Sequence, residues 1–292
     1  MKNRETVEVL LSTSDLQVLA AETAWKHIDS EALDVVDEVL ATLSPSGPYA
    51  YTIGAVMEQG KEVPTQRIVS TYEQISAAYH ELHRDIVVGE LRPLLEIHGS
   101  WYVFVHGSGK ARNKATGQTG DGPVVVLFPT MGSAGITGEL YWVRTQHDVI
   151  AGDPADGSLA SRFAVGRLHG TLIDAYRKGD LDTIVEQSHA EIQTAVRDYV
   201  SQSGTLVELH GKGDLQAHLQ NFYAHYSVRG IDVVHQYVDE WFMFDELRWT
   251  VEALQGPDAG AVFRYHTAEF APVSSTGVLA HIGHGTDQIR IG

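Results

Sequence analysis

The chain contains no cysteine, which excludes disulfides, thiolate nucleophiles and cysteine-based metal centres while leaving the compartment open. No apolar run approaches the roughly 18 to 20 residues of a membrane-spanning helix. The opening stretch MKNRETVEVLLSTSD has basic residues but only a short apolar run, too little for a signal peptide, so a cytoplasmic protein with no membrane partner is expected. Basic residues are scarce, 21 against 38 acidic in 292 residues, for a formal charge of −17. Residues 1–150 carry −8 and residues 151–292 carry −9. With both halves acidic, a nucleic-acid partner is disfavoured, because that binding neutralises phosphates with Lys and Arg. Also missing are the G-x-S-x-G elbow, the G-x-G-x-x-G fingerprint and a phosphate loop; HGSGKARNKATGQTGDG (106–122) lacks the required spacing and reads as a long mobile hairpin.

What is present is a plan repeated. QHDVIAGDPADGSLASR (146–162) is small, polar and bears Gly and Pro, which suits a linker. It divides the chain into domains 1–148 and 162–292 joined by 149–161. In the second half, RFAVGRLHGTLIDAYRKG has helical periodicity and stops at Gly179, DLDTIVEQSHAEI reads as a second helix and AVRDYVSQSG as extended. GDLQAHLQNFYAHYS is a third helix; DVVHQYVDEWFMF, ELRWTVEAL, AVFRYHTAEFAPV and TGVLAHIGHG read as strands. The first half runs likewise through helices in DLQVLAAETAWKHI, SEALDVVDEVLATL and STYEQISAAYHELH, and strands in RPLLEIHG, SWYVFVHG, PVVVLFPT and GELYWVRT. The expected class is α+β: two tandem cone-shaped domains, each a strongly curved antiparallel sheet wrapped over three helices.

KGDLDTIVEQ, FYAHY, DELRWTVEA and TGVLAHI resemble the second helix, third helix, an inner strand and the final strand of the SnoaL-like and ketosteroid isomerase-like enzymes, within the nuclear transport factor-like fold. The resemblance covers residues 163–285; the first half shares only the element order. It implies a deep, largely apolar cone closed by helices and holding an acid or base with a shifted pKa. It also implies pairing of the two domains through their outer sheet faces, an internal pseudo-dimer. Asp198 matches the isomerases' catalytic base and Tyr223 their supporting tyrosine. The other positions depart: the oxyanion-hole tyrosine maps onto Leu172 and the second aspartate onto Ala268, so ketosteroid isomerisation is not expected.

RYHTAEF (264–270) raises the site question. On a strand His266, Ala268 and Phe270 share one face, which is read here as the inside. If Ala268 pairs with His281, the imidazoles of His266 and His281 are diagonal neighbours over the cavity; a one-residue slip would turn His281 away. In one reading the two histidines polarise or protonate a substrate oxygen and shuttle a proton, with Asp198 as base. In the other they are satisfied core histidines. Tyr223, Trp249, Phe270 and Leu172 complete the expected lining. Aligning the two hairpins sets Val124 against His266, Trp142 against His281 and the Tyr51 region against Asp198, so the first pocket is expected to be apolar. HIGH and YHELH lack metal-site geometry; no metal or cofactor is expected. Two functions compete: a cofactor-independent cyclase, dehydratase or isomerase acting on a hydrophobic oxygenated small molecule, and a non-catalytic small-molecule binding or scaffold protein.

Overall fold

The computed structural model describes residues 13–45, 49–58, 61–130, 135–144, 157–197 and 206–292. The chain builds one unit twice. In the first, helices α1 (Thr13–Ala32) and α2 (Val36–Leu40) precede strands β1 (Ala50–Glu58) and β2 (Lys61–Val69). Helix α3 (Tyr72–Asp85) follows, then β3 (Ile86–His98), β4 (Tyr102–Asn113), β5 (Thr119–Pro129) and β6 (Gly138–Val143). The second unit repeats the series with α4 (Gly157–Lys178), α5 (Leu181–Glu186), β7 (Ser188–Arg197), β8 (Leu206–His210) and α6 (Gly211–His225). It ends in β9 (Tyr226–Val238), β10 (Phe242–Ala253), β11 (Val262–Ser274), β12 (Gly277–Gly285) and the short β13 (Ile289–Arg290). The sheet orders, β2-β1-β6-β5-β4-β3 and β8-β7-β12-β11-β10-β9, are the same. Each sheet is antiparallel except for one parallel contact, β1 with β6 and β7 with β12.

Local chemistry sets the element ends. Thr71 accepts from the Gln74 amide while Gln74 reaches back, closing a capping box at α3. Gly179, at φ 67°, ends α4 in the left-handed region, and Asp180 then caps α5 through the Thr183 amide at 3.1 Å. Several boundaries differ from expectation: α4 begins at Gly157, inside the expected linker, and the helix expected over SEALDVVDEVLATL is only Val36–Leu40. The helix in DLDTIVEQSHAEI stops at Glu186, and Ser188 already belongs to β7. DVVHQYVDEWFMF is a hairpin turning at Asp239, whose carboxylate accepts from the Glu240 amide at 2.7 Å. The long loop expected at 106–122 is mostly strand, with β4 and β5 paired from Tyr102–Pro129 to Arg112–Thr119.

Each sheet is buried on both faces. The concave face of the first packs Val103, Val105, Val126 and Phe128 against α1 and α3. The concave face of the second packs Met243, Leu247, Trp249 and Tyr265 against α4 and α6. The convex faces meet in a shared core of Tyr102, Phe104, Leu127 and Trp142 with Phe242, Phe244, Phe270 and Ile282. Phe104 and Phe244 stack at 4.1 Å, and the Tyr102 hydroxyl donates to Glu246 at 2.9 Å. Arg144 pairs with Glu240 at 3.0 Å and lies over Trp241. This is the internal pseudo-dimer.

The repeat also fixes which residues correspond. Gly135 and Gly277 both sit at φ 116°, each pressed against the backbone that follows the second helix of its unit, at Leu43–Ser44 and Gln187–Ser188. Only glycine tolerates that approach with that φ. Counting from them, Glu139, paired with Tyr51, stands where the second unit has His281, paired with Thr194. The expected match of Trp142 to His281 is therefore corrected by three residues.

Candidate functional site

The alternation along β11 decides the site. Ala268 pairs with His284 and Phe270 with Ile282, so the expected Ala268–His281 pairing is displaced by three residues. An odd displacement exchanges faces. Tyr265, Thr267 and Glu269 point into the second cone, and Ala268 and Phe270 point into the interdomain core. The face read as the inside of the cone is the inside of the pseudo-dimer instead.

His266 and His281 consequently lie on opposite faces. His266 belongs to an interface cluster: its Nδ1 is 2.8 Å from Glu246 Oε1, while Glu246 Oε2 takes Tyr102 at 2.9 Å and His235 at 2.9 Å. Phe270 is fully buried in the shared core. Leu172 packs among Val165, Met243 and Ala271, and Tyr223 spends its hydroxyl on the Tyr176 carbonyl at 2.5 Å. Of the residues singled out from the sequence, His281 and Trp249 line the cavity. Asp198 lies outside the described residues.

The cavity, about 80 Å³, sits between the concave sheet, α4 and α6. Its walls are Tyr176, Leu219, Phe222, Trp249 and Tyr265, with Trp249 and Tyr265 stacked at 6.0 Å. Thr194, His218, Thr267, Glu269, His281 and His284 are the polar residues among the rest of its lining. The Trp249 indole donates to Thr267 at 3.0 Å. Thr194 Oγ1 and His281 Nε2, side by side on paired strands, are buried with no hydrogen-bond partner among the described residues. Leaving such atoms unpaired is costly, and a ligand or water in the cavity is their natural partner.

Glu269 stands between Asp245 on β10 and Gly283 on β12. A Cβ at position 283 would overlap that of Glu269, so glycine makes the room the carboxyl occupies. Burial, helped by the charge of Asp245, pushes the Glu269 carboxyl up to about 8, leaving it protonated at neutral pH. Asp245 is also raised by burial. Its Oδ2 accepts from His169 Nε2 at 2.8 Å, and His169 Nδ1 in turn accepts from Gln236 at 2.8 Å. Burial lowers His281 to about 4, so its imidazole is neutral. The cavity therefore presents a neutral carboxylic acid and a neutral imidazole on one face, diagonal across two strands. Glu269, Thr194, Asp245 and His169 were not singled out from the sequence. A single glutamate between Ala268 and Phe270 reads as a solvent-facing position unless the second buried face is known.

The fold is an α+β cone, present twice. No protein-family model and no curated protein matches the chain. Solved structures similar to it include a candidate polyketide cyclase from Xanthomonas campestris pv. campestris, at 15% identity, covering 42% of this chain and 90% of its own, TM-score 0.36. A protein of ketosteroid isomerase-like fold from Catenulispora acidiphila, solved with trimethylamine, is 13% identical over 41% of this chain and 84% of its own, TM-score 0.32. An LEH-like epoxide hydrolase from M. tuberculosis is 10% identical over 39% and 77%, TM-score 0.32. Among the described residues no helix is long and apolar enough to cross a membrane.

Proposed function

We propose that the second cone is the active site of a cofactor-independent enzyme that moves a proton next to a carbonyl, of the cyclase, dehydratase or isomerase type. Its substrate is a compact, hydrophobic, oxygenated small molecule. The observation that carries this reading is the pairing of Glu269 and His281 on one cavity face, with His281 Nε2 and Thr194 Oγ1 unbonded beside them. A protonated Glu269 donates to the substrate's carbonyl oxygen and stabilises the charge that develops there when a proton leaves the neighbouring carbon. Neutral His281 accepts that proton and returns it at another position. Burial, with the Asp245 carboxyl held beside it by His169, keeps Glu269 protonated. The aromatic wall excludes water and favours an apolar frame around the reacting atoms.

The test is solvent-deuterium exchange at the α-carbon of small cyclic ketones and 1,3-diketones, followed by proton NMR. Exchange above the buffer rate is expected for the wild-type chain, with a loss of about 100-fold or more in Glu269→Gln and in His281→Ala. Exchange that is absent throughout, or unchanged in both variants, would leave the second cone as a binding pocket without chemistry.

A further inference from the structure

The first cone has a buried polar centre of its own, where an apolar pocket was expected. His27 and Glu31, one turn apart on α1, meet Glu139 from β6. His27 Nε2 lies 4.0 Å from Glu31 Oε1 and 3.6 Å from Glu139 Oε2, and one donor atom of each residue lies within 4.8 Å of the others. His27 is fully buried and Glu31 nearly so.

The hydrogen bonds fix which ring nitrogen faces the carboxylates. The Thr42 hydroxyl gives its proton to the Val39 carbonyl at 2.6 Å. Its oxygen therefore accepts from His27 Nδ1–H at 2.6 Å, which leaves Nε2 as the ring atom turned towards the two carboxylates. That is how an outer partner orients a ligating histidine. The Tyr79 hydroxyl stands 2.9 Å from the same Nε2 and 2.5 Å from Glu139 Oε2, with one proton for two acceptors. Independently, Tyr51, the register partner of Glu139, is 5% exposed, and its hydroxyl lies beside that of Tyr79 with no partner at full hydrogen-bond geometry among the described residues.

We propose that His27 Nε2, Glu31 and Glu139 ligate a first-row divalent cation of the Zn²⁺ kind. One imidazole and two carboxylates balance a double charge and suit a borderline cation, unlike Ca²⁺, which takes six to eight oxygens. Donors about 2.1 Å from a tetrahedral ion lie about 3.4 Å apart, so ligation draws the His27 separations of 3.6 and 4.0 Å in by about 0.2 and 0.6 Å and brings the two carboxylates, within 4.8 Å of each other, together by side-chain rotation. With Nε2 on the cation, the Tyr79 proton goes to Glu139 alone. The Tyr51 hydroxyl gains a partner in a cation-bound water. The second cone does not repeat the site: His281 occupies the place of Glu139, and Leu172 that of His27, counted from the matched helix ends at Asp34 and Gly179.

The full-length chain, stripped with EDTA, is titrated with ZnCl₂ by calorimetry and with CoCl₂ by visible absorption. One equivalent per chain is expected, with the d–d bands of low-symmetry Co²⁺. Affinity should fall about tenfold or more in Glu139→Gln and in Glu31→Gln and stay unchanged in Glu269→Gln. Should Glu139→Gln fail to fold by circular dichroism, Glu31→Gln carries the comparison. Wild-type chain that binds no Zn²⁺ at submillimolar concentration overturns the proposal. So does binding that both variants retain, which would put the cation on other histidines.

Discussion

Replacing Glu269 by glutamine isolates the energetic cost of the second cone's acid. The carboxyl titrates at an ordinary 4.5 when unfolded and at about 8 when folded, so the folded chain binds this proton more tightly. The sign follows: the contribution of Glu269 is intact below pH 4.5, is lost as pH rises from 4.5 to 8, and is constant beyond. At 1.36 kcal/mol for each pH unit between those values, the loss reaches about 5 kcal/mol, with about 3 kcal/mol already lost at pH 7. Glutamine keeps the shape and has no proton to lose. The stability of Glu269→Gln relative to wild type should therefore climb by about 1.4 kcal/mol per pH unit between pH 5 and 8. Guanidinium denaturation at pH 5, 6, 7 and 8, followed by tryptophan fluorescence, measures it, and subtraction removes the groups distant from Glu269. A difference constant within about 0.5 kcal/mol over that range would refute a buried, protonated Glu269.

Two further substitutions probe the frame. Gly283→Ala forces a methyl against the Glu269 side chain and the Ala268 carbonyl. It should cost about 1–3 kcal/mol and lower α-carbon exchange, and unchanged values for both would mean that Glu269 is not held from that side. Phe104→Ala removes a fully buried ring from the interdomain stack. It should cost about 3–5 kcal/mol by thermal denaturation, whereas less than about 1 kcal/mol would show that the two cones do not share a core.

The repeat was legible because helices carry a 3.6-residue period and because the order of helices and strands is the same in both halves. The orientation of β11 was not. Strand alternation distinguishes a buried from a wet face, but here both faces are buried. Ala268 and Phe270 fill the interface while Tyr265 and Thr267 line the cone. The more hydrophobic face marked the pseudo-dimer, and the cavity took the face with Glu269. Hairpin register failed for a related reason: the irregularity between Phe270 and Val273 leaves no trace in APVSSTG. The centre at His27, Glu31 and Glu139 spans more than a hundred residues of sequence and leaves no local signature apart from one i, i+4 pair.

The most direct measurement is an NMR titration of the imidazole resonances, with His281→Asn used to assign that of His281. A neutral ring at pH 5 that protonates only near pH 4 is the expected result. A midpoint at the ordinary value of about 6.5 would place His281 in water and contradict the enclosed acid–imidazole face.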